Sequence, residues 1–263
     1  MKKAVALFMF LPLLMLASAF TPKSQAYTIG VQVGDWFKYK GTIVYWHADE
    51  GVPFPPHMYA SILQVYNETD WIKYEVTEIK EAAHNVTFLV TNHWKNGTET
   101  QYTLEDNMDT SFTMMVIDAD LGPGDMVRPE YIWFGFWVWP PRYLNDTIEV
   151  EYIGGSPREV KVLDWVIPPN PFIPESYTRQ IYWWDNETGI QVRYEVHENS
   201  TAYDPETFEP IGDYQYIAAF ELIDTSYGWG AVIPEYPKWP ITLLTLTAAV
   251  VPIVCYKRKT RLK

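Results

Sequence analysis

Residues 178–198 read TRQIYWWDNETGIQVRYEVHE, and this stretch indicates the fold class. Two runs rich in β-branched and aromatic residues flank a short polar segment, a pattern typical of two paired strands. Gly189, at the end of the polar segment, can adopt the positive φ that a tight return requires. The stretch therefore predicts a β-hairpin, with strands over 178–184 and 190–198.

The same pattern recurs on both sides of this hairpin, and no long helical period interrupts it. It predicts further strands over residues 36–46, 59–66, 71–80, 85–94, 98–104, 131–139, 147–153, 158–166 and 214–223. Short turns between them imply antiparallel neighbours. Because flat sheets of this size are uncommon, we expect an all-β fold with a strongly curved antiparallel sheet or half-barrel, and a two-sheet β-sandwich is the alternative.

The first 26 residues are predicted to be a signal peptide. Lys2 and Lys3 precede an apolar run over 4–17, which matches the charged and apolar regions of a secretory signal. Cleavage sites end at Ala19 and at Ala26, and the polar residues 21–25 favour the second. Cleavage there leaves an extracellular β-domain over 27–227.

A second apolar segment, residues 239–256, contains no charged residue and is predicted to be a transmembrane helix. A helix of that length spans about 27 Å, close to the hydrocarbon thickness of a bilayer. Trp239 and Tyr256 lie at its ends, and the basic tail 257–263 follows directly. Positive residues favour the cytoplasmic side, so we expect a single-pass protein with a stalk over 228–238 and its β-domain outside.

The predicted mature exterior region is strongly acidic. Residues 27–238 hold all 33 Asp and Glu but only 12 of the 20 Lys and Arg, a formal charge of −21. That field repels nucleic acid, so no nucleic-acid role is expected. Solubility at the cell surface is the simplest use of such charge, and attraction of cations or basic partners is the alternative.

N-glycosylation sequons support an exterior location. Six of the nine asparagines begin an Asn-x-Ser/Thr sequence, where chance would give about one. The six are Asn67, Asn85, Asn96, Asn145, Asn186 and Asn199. Most lie in turn-like or strand-end contexts from which a glycan projects into solvent.

Three resemblances follow from short motifs. Residues 233–237 read IPEYP before the apolar helix and basic tail, which resembles archaeal C-terminal sorting signals built on Pro-Glu-Phe, with Tyr236 in place of Phe. Residues 33–36 (VGDW), 120–125 (DLGPGD), 158–160 (REV) and 182–190 resemble a group of uncharacterised archaeal cell-surface proteins. This second resemblance implies location but no activity. The hairpin around 184–193 is similar to those of LolA-like carriers, whose curved sheet holds acyl chains.

Aromatic residues form the candidate ligand site. In a single strand over 131–139, alternation places Trp133, Trp137 and Trp139 on one face. Trp183 and Trp184 can join them from a neighbouring strand. A concave aromatic wall suits a lipid-like or sugar ligand, whereas a strand buried on both sides gives the same pattern without function.

Acidic residues give a weaker candidate site. Asp118, Asp120 and Asp125 fall within one glycine-containing turn and are a hypothetical Ca²⁺ site, although an acidic turn is usually just solvated. The five histidines lack metal-ligand spacing, and neither a His-Glu-x-x-His nor a Gly-x-Ser-x-Gly motif occurs. We therefore expect no enzymatic activity and no other cofactor.

These features predict a non-catalytic, membrane-anchored and glycosylated cell-surface protein with an envelope or ligand-binding role. Its expected partners are the membrane, through the C-terminal helix, and a lipid, a glycan or an envelope protein. A carrier of apolar ligands is the second hypothesis, and a glycan hydrolase built on two carboxylates is the third.

Overall fold

The computed structural model describes residues 28–54, 60–111, 113–133, 137–151, 157–168, 176–204, 206–207 and 209–229. The predicted signal peptide, the transmembrane helix over 239–256 and the basic tail lie outside these residues, as does the stalk beyond Trp229. Within the described part of the chain, no helix is both long and apolar enough to cross a bilayer.

The described chain is almost entirely β-structure, with one short α-helix and a single 3₁₀ turn over Glu81–Ala83. In chain order the elements are β1 (Trp36–Ala48), α1 (Ala60–Glu68), β2 (Thr69–Lys80), β3 (Asn85–Trp94), β4 (Glu99–Asn107), β5 (Met126–Arg128), β6 (Tyr131–Trp133), β7 (Trp137–Trp139), β8 (Arg142–Tyr143), β9 (Asp146–Val150), β10 (Arg158–Ile167), β11 (Tyr177–Asp185), β12 (Gln191–Tyr203) and β13 (Pro210–Thr225). The predicted all-β antiparallel class is confirmed.

Nine strands form one sheet in the order β4-β3-β2-β1-β13-β12-β11-β10-β9. The long strands thus belong to one sheet, not to the two sheets of the alternative sandwich. The sheet consists of two meanders that meet where β1 pairs with β13, with Phe37 opposite Thr225. Between the meanders, residues 108–145 lead the chain from the β4 edge to the β9 edge, and we call them the crossing segment.

The two faces of the sheet differ in chemistry. The core face carries buried apolar side chains, including Phe37 and Tyr39 of β1, Phe88 of β3 and Phe220 of β13. The ring of Tyr39 stacks on that of Phe220 with centroids 4.7 Å apart. On the opposite, open face the strands present polar and charged side chains such as Lys40, because successive residues of a strand point to opposite sides.

The crossing segment covers part of the core face. Met114, Met115, Val116 and Ile117 are all buried there. Val116 forms an isolated bridge with Ile190, and the Trp184 indole N–H donates to the Met114 carbonyl at 2.8 Å. This segment therefore closes the core that the two meanders leave open on one side.

The strand predicted over 59–66 is wrong, because residues 60–68 form helix α1. Leu63 is buried, and the Tyr66 ring stacks on Phe220 at 5.3 Å, whereas Gln64 and Glu68 face solvent. Gly41 makes room for this packing, since a Cβ there would lie 2.5 Å from the Tyr66 ring. Docking on the sheet thus overrides the local preference of the β-branched sequence.

The single strand predicted over 131–139 is also wrong. β6 and β7 form a small hairpin in which Tyr131 pairs with Trp139 and Trp133 pairs with Trp137. The predicted hairpin at the end of β11 is confirmed, with Gly189 at a φ of 67°. The other predicted strands lie within a few residues of observed ones, and the end of the strand predicted over 147–153 lies outside the described residues.

Candidate functional site

The six predicted glycosylation sites differ in exposure. Four asparagines are exposed: Asn67, Asn96, Asn145 and Asn199. The other two, Asn85 and Asn186, are half-buried. A glycan needs an outward path from the side-chain nitrogen, so the structure divides the sequons into an open set of four and a restricted set of two.

Both restricted sequons have a buried third residue, Thr87 and Thr188. The Thr188 hydroxyl donates to the Asp185 carboxylate at 2.8 Å, and the Asn186 amide donates to Glu159 at 3.2 Å. In the folded domain, therefore, the side chains of the Asn186 sequon stabilise the β11–β12 turn through hydrogen bonds that they already make.

Two open sequons share one cleft at the β3–β4 end of the sheet. The cleft has a volume of about 400 Å³, and its lining comprises Asn67, Glu68, Trp94, Lys95 and Asn96. The Lys95 backbone N–H donates to the Glu68 carbonyl at 2.8 Å, and its ammonium donates to the Asn67 carbonyl at 2.6 Å. These bonds fix the end of helix α1 against the tip of the β3–β4 hairpin.

The hairpin tip holds Asn96 in a defined conformation. The Gly97 N–H donates to the Trp94 carbonyl at 2.8 Å, the Trp94 N–H donates to the Thr98 carbonyl at 2.9 Å, and Gly97 has a φ of 81°. This is a three-residue hairpin loop with a left-handed glycine. The Thr98 hydroxyl and N–H both donate to Asn96 Oδ1, at 2.7 and 2.9 Å. Nδ2, the atom that carries an N-linked glycan, takes no part in either bond.

The candidate ligand residues Trp183 and Trp184 lie on opposite faces of β11. Trp184 is fully buried on the core face and stacks on Tyr182 at 5.3 Å. Trp183 lies on the open face, where the Arg193 guanidinium is 5.1 Å from its ring centroid. The structure therefore does not bring these two side chains into one wall.

Trp139 of the β6–β7 hairpin is buried and packs edge-on against Trp165 of β10, with centroids 5.4 Å apart. Trp133 and Trp137 are paired through their backbones, and their side chains lie outside the described residues. On the other side of the hairpin, Ile132 is 52 % and Val138 45 % exposed. The hairpin thus has one side turned to the domain and one apolar side turned to solvent.

A lysine side chain, Lys161, lies beside the predicted Ca²⁺ site formed by Asp118, Asp120 and Asp125. The Lys161 ammonium donates to the Ala119 carbonyl, and burial lowers the pKa of Lys161 while the nearby carboxylates oppose that effect. The Asp118 carboxylate accepts the N–H groups of Thr28 and Asp120, and the Asp125 carboxylate accepts the N–H of Gly122. The Asp120 carboxylate accepts the Thr28 hydroxyl. Among the described residues, no three His, Cys, Asp or Glu side chains converge as metal ligands, so the Ca²⁺ hypothesis gains no support from geometry.

An ion cluster of four residues lies on the open face and comprises Arg193, Glu195, His197 and Glu221. Arg193 pairs with Glu195 at 2.6 Å and with Glu221 at 2.8 Å. Burial raises the pKa of Glu221 despite Arg193. Burial acts in the same direction on Glu195, but hydrogen bonds from His197 and Arg193 outweigh it, and its pKa is lowered.

Sequence reasoning missed two features. Trp94 was recognised only as the end of a strand, since its contact with the Asn67 region depends on where helix α1 docks. Glu198 lies on the core face, 5 % exposed, and accepts a hydrogen bond from Thr178; burial raises its pKa to about 7. No local sequence signal marks either residue.

Comparison with known proteins adds no assignment. No family model matches the chain, and no curated protein matches it.

Proposed function

We propose that this chain is a non-catalytic, N-glycosylated cell-surface protein, held at the membrane by its C-terminal helix and displaying its β-domain outside. The proposal includes the resemblance to archaeal surface proteins and an envelope or ligand-binding role. It rests on the acidic composition, the sequons and one structural observation.

That observation is the position of the chain ends relative to the open sequons. Thr28 contacts Asp118, and Trp229 packs over the Arg158 guanidinium at 4.1 Å, so both described ends lie at the end of the sheet where β10 begins. Asn67 and Asn96 lie at the opposite end, because β3 runs from Asn85 to Trp94 alongside β2 and β1. This arrangement suits a domain that stands on its C-terminal anchor and bears glycans far from the membrane.

Strong curvature of the sheet is part of the proposal. Among the described residues, the strand pairing of the nine-stranded sheet shifts register at six places, including Ile43/Tyr45 and Val76/Glu78. Bulges of this kind bend a strand and increase its twist. Together with a helix and the crossing segment on one face, they favour a sheet that wraps around its core.

Glycopeptide mass spectrometry of the full chain from a glycosylating host tests the proposal. We expect glycan mass at Asn67, Asn96, Asn145 and Asn199, because their side chains are exposed, and lower occupancy at Asn85 and Asn186. Each single Asn→Gln variant of the open set should lose one glycan.

Asn107→Gln is the matched control, since Asn107 begins no sequon and should leave the mass of the glycans unchanged. Absence of glycan from all six sequons would refute an exterior glycoprotein. Occupancy confined to Asn85 and Asn186 would refute the division into open and restricted sequons.

One observation favours the second candidate function, an apolar-ligand carrier. Ile132 and Val138 present an exposed apolar surface on the β6–β7 hairpin. If that surface holds a ligand, native mass spectrometry should show a lipid-sized mass that denaturation releases and that an Ile132→Ser/Val138→Ser variant lacks. Equal ligand mass in the variant, or none in either protein, would exclude the hairpin as a carrier site.

A further inference from the structure

We infer that the cleft between Asn67 and Asn96 is a binding site for a saccharide of the protein's own glycan: the first sugar on Asn96 packs against the indole of Trp94. This inference rests on the proposed function, because it requires a glycan at Asn96. Beyond that function, it assigns the position of the first sugar, the residue that this sugar contacts and an effect of the contact on the stability of the domain.

The first step is the direction in which the glycan leaves. Oδ1 of Asn96 is held by the hydroxyl and N–H of Thr98, which fixes the side-chain amide relative to the hairpin. The amide nitrogen is bonded to the same carbon as Oδ1, so its position is fixed as well. Asn96 itself lines the cleft, so a sugar attached to Nδ2 starts at the cleft wall.

The second step is the surface that the sugar meets. Trp94 precedes Asn96 by two residues and lines the same cleft. Its indole N–H donates to the Thr100 hydroxyl at 3.0 Å, which orients the ring while leaving the side chain half-exposed. One face of a pyranose carries weakly positive C–H groups, and an aromatic face is negative, so stacking is favourable and removes apolar surface from water.

The third step is rigidity. Lys95, between Trp94 and Asn96, bonds to Glu68 and Asn67 through its backbone and its side chain. The left-handed Gly97 fixes the loop from the other side. A preformed site reduces the entropy lost when a flexible sugar becomes ordered, so the contact can contribute to stability.

Asn67 lines the same cleft and is the competing source of a sugar. The geometry favours Asn96, because its side-chain amide is oriented by the hairpin that also carries Trp94, whereas the Lys95 ammonium bonds the backbone carbonyl of Asn67 and does not orient the Asn67 side chain. A sugar from Asn67 is therefore an outcome that the test must distinguish.

The test is a double-mutant cycle on the melting temperature of the full glycosylated chain. The four proteins are the natural chain, Asn96→Gln, Trp94→Leu and the double variant, each with occupancy measured by mass spectrometry. We expect Asn96→Gln to lower the melting temperature by about 2–4 °C more when Trp94 is present than when it is replaced.

The controls separate the inference from its premises. The same cycle on enzymatically deglycosylated protein should show no coupling, which excludes an effect of the Asn96 side chain itself. Asn145→Gln should lower the melting temperature equally with and without Trp94, because Asn145 ends the crossing segment beside β10, in the meander that does not contain Trp94.

Equal effects of Asn96→Gln in both backgrounds would overturn the inference, as would coupling of Trp94 to Asn67→Gln instead. An unoccupied Asn96 beside occupied Asn67, Asn145 and Asn199 would overturn the inference and leave the proposed function standing. Glycan at none of the sequons would overturn both.

Discussion

Trp183 and Trp184 are adjacent in the chain, yet the two faces of the sheet use them differently. On the core face Trp184 is fully buried, stacked on Tyr182 and bonded to a carbonyl of the crossing segment. On the open face Trp183 is half-exposed beneath Arg193 of the ion cluster. The core face therefore depends on volume and shape, and the open face at this position also depends on paired, largely buried charges.

The largest difference should appear when each tryptophan is replaced in turn. Trp184→Ala leaves a cavity and an unpaired Met114 carbonyl, so the free energy of unfolding should fall by about 3–5 kcal/mol. Trp183→Ala should cost less, about 1–3 kcal/mol, because Trp183 is only partly buried although it packs against the buried apolar cluster. Urea unfolding of both variants measures the two losses, and similar losses would show that the faces do not differ in this way.

Glu198 is a carboxyl on the apolar face, and it makes stability depend on pH. Its ordinary pKa of 4.5 is raised to about 7 in the folded state, so the folded protein binds more protons between these values. Stability should therefore fall as the pH rises from about 4.5 to 7, by roughly 2–3 kcal/mol in total.

Glu198→Gln should remove most of this dependence and make the protein more stable at pH 8, as measured by urea unfolding at several pH values. Glu105→Gln, an exposed carboxyl on β4, is the control and should leave the profile unchanged. A profile for Glu198→Gln that still falls across the same range would contradict the assignment.

Substitution of Gly41 tests how much additional side-chain volume the core face can accommodate. Gly41→Ala places a methyl group against the Tyr66 ring and should cost about 1–3 kcal/mol of unfolding free energy. The cost should shrink in a Tyr66→Ala background, because the two sites are in contact. Lys40→Ala, next along β1 on the open face, is the matched control, and an equal loss there would weaken the comparison.

The last test is the ion cluster of the open face. Arg193→Ala removes the pairing partner of Glu221 and one of the two partners of Glu195, and it should cost about 1–3 kcal/mol because these carboxylates are largely buried. The loss should change little in about 1 M salt, since partly buried pairs are screened much less than exposed ones. Thermal unfolding at both salt concentrations measures this, and a loss that disappears in salt would mean that the charges behave as exposed ones.

Most strands were predictable from the sequence because alternation and turn residues act locally. β3 and the β11–β12 hairpin follow from these signals alone. Helix α1 and the β6–β7 hairpin were not predictable, since the first depends on the space above Gly41 and the second on pairing between Trp133 and Trp137 within a run whose alternation fits a single strand. Strand order was also hidden, because nothing local in β1 indicates that β13 is its neighbour.

For the candidate site, too, some features were predictable from the sequence and others depend on the tertiary structure. A sequon is a local pattern, so all six were found from sequence. Their exposure depends on tertiary contacts, as the burial of Thr87 and Thr188 shows. The cleft beside Asn96 exists only because Lys95 meets the end of helix α1, a contact between residues that are distant in the chain.

The seam between β1 and β13 also limits the order in which the domain folds. β1 is the first strand made and β13 the last, so the longest loop of the domain must close before the two meanders share a core. Each meander can form its own hairpins early, but their union carries a high contact order and is expected to be slow. A chain synthesised from the N-terminus thus has one edge of β1 unpaired until β13 has been made.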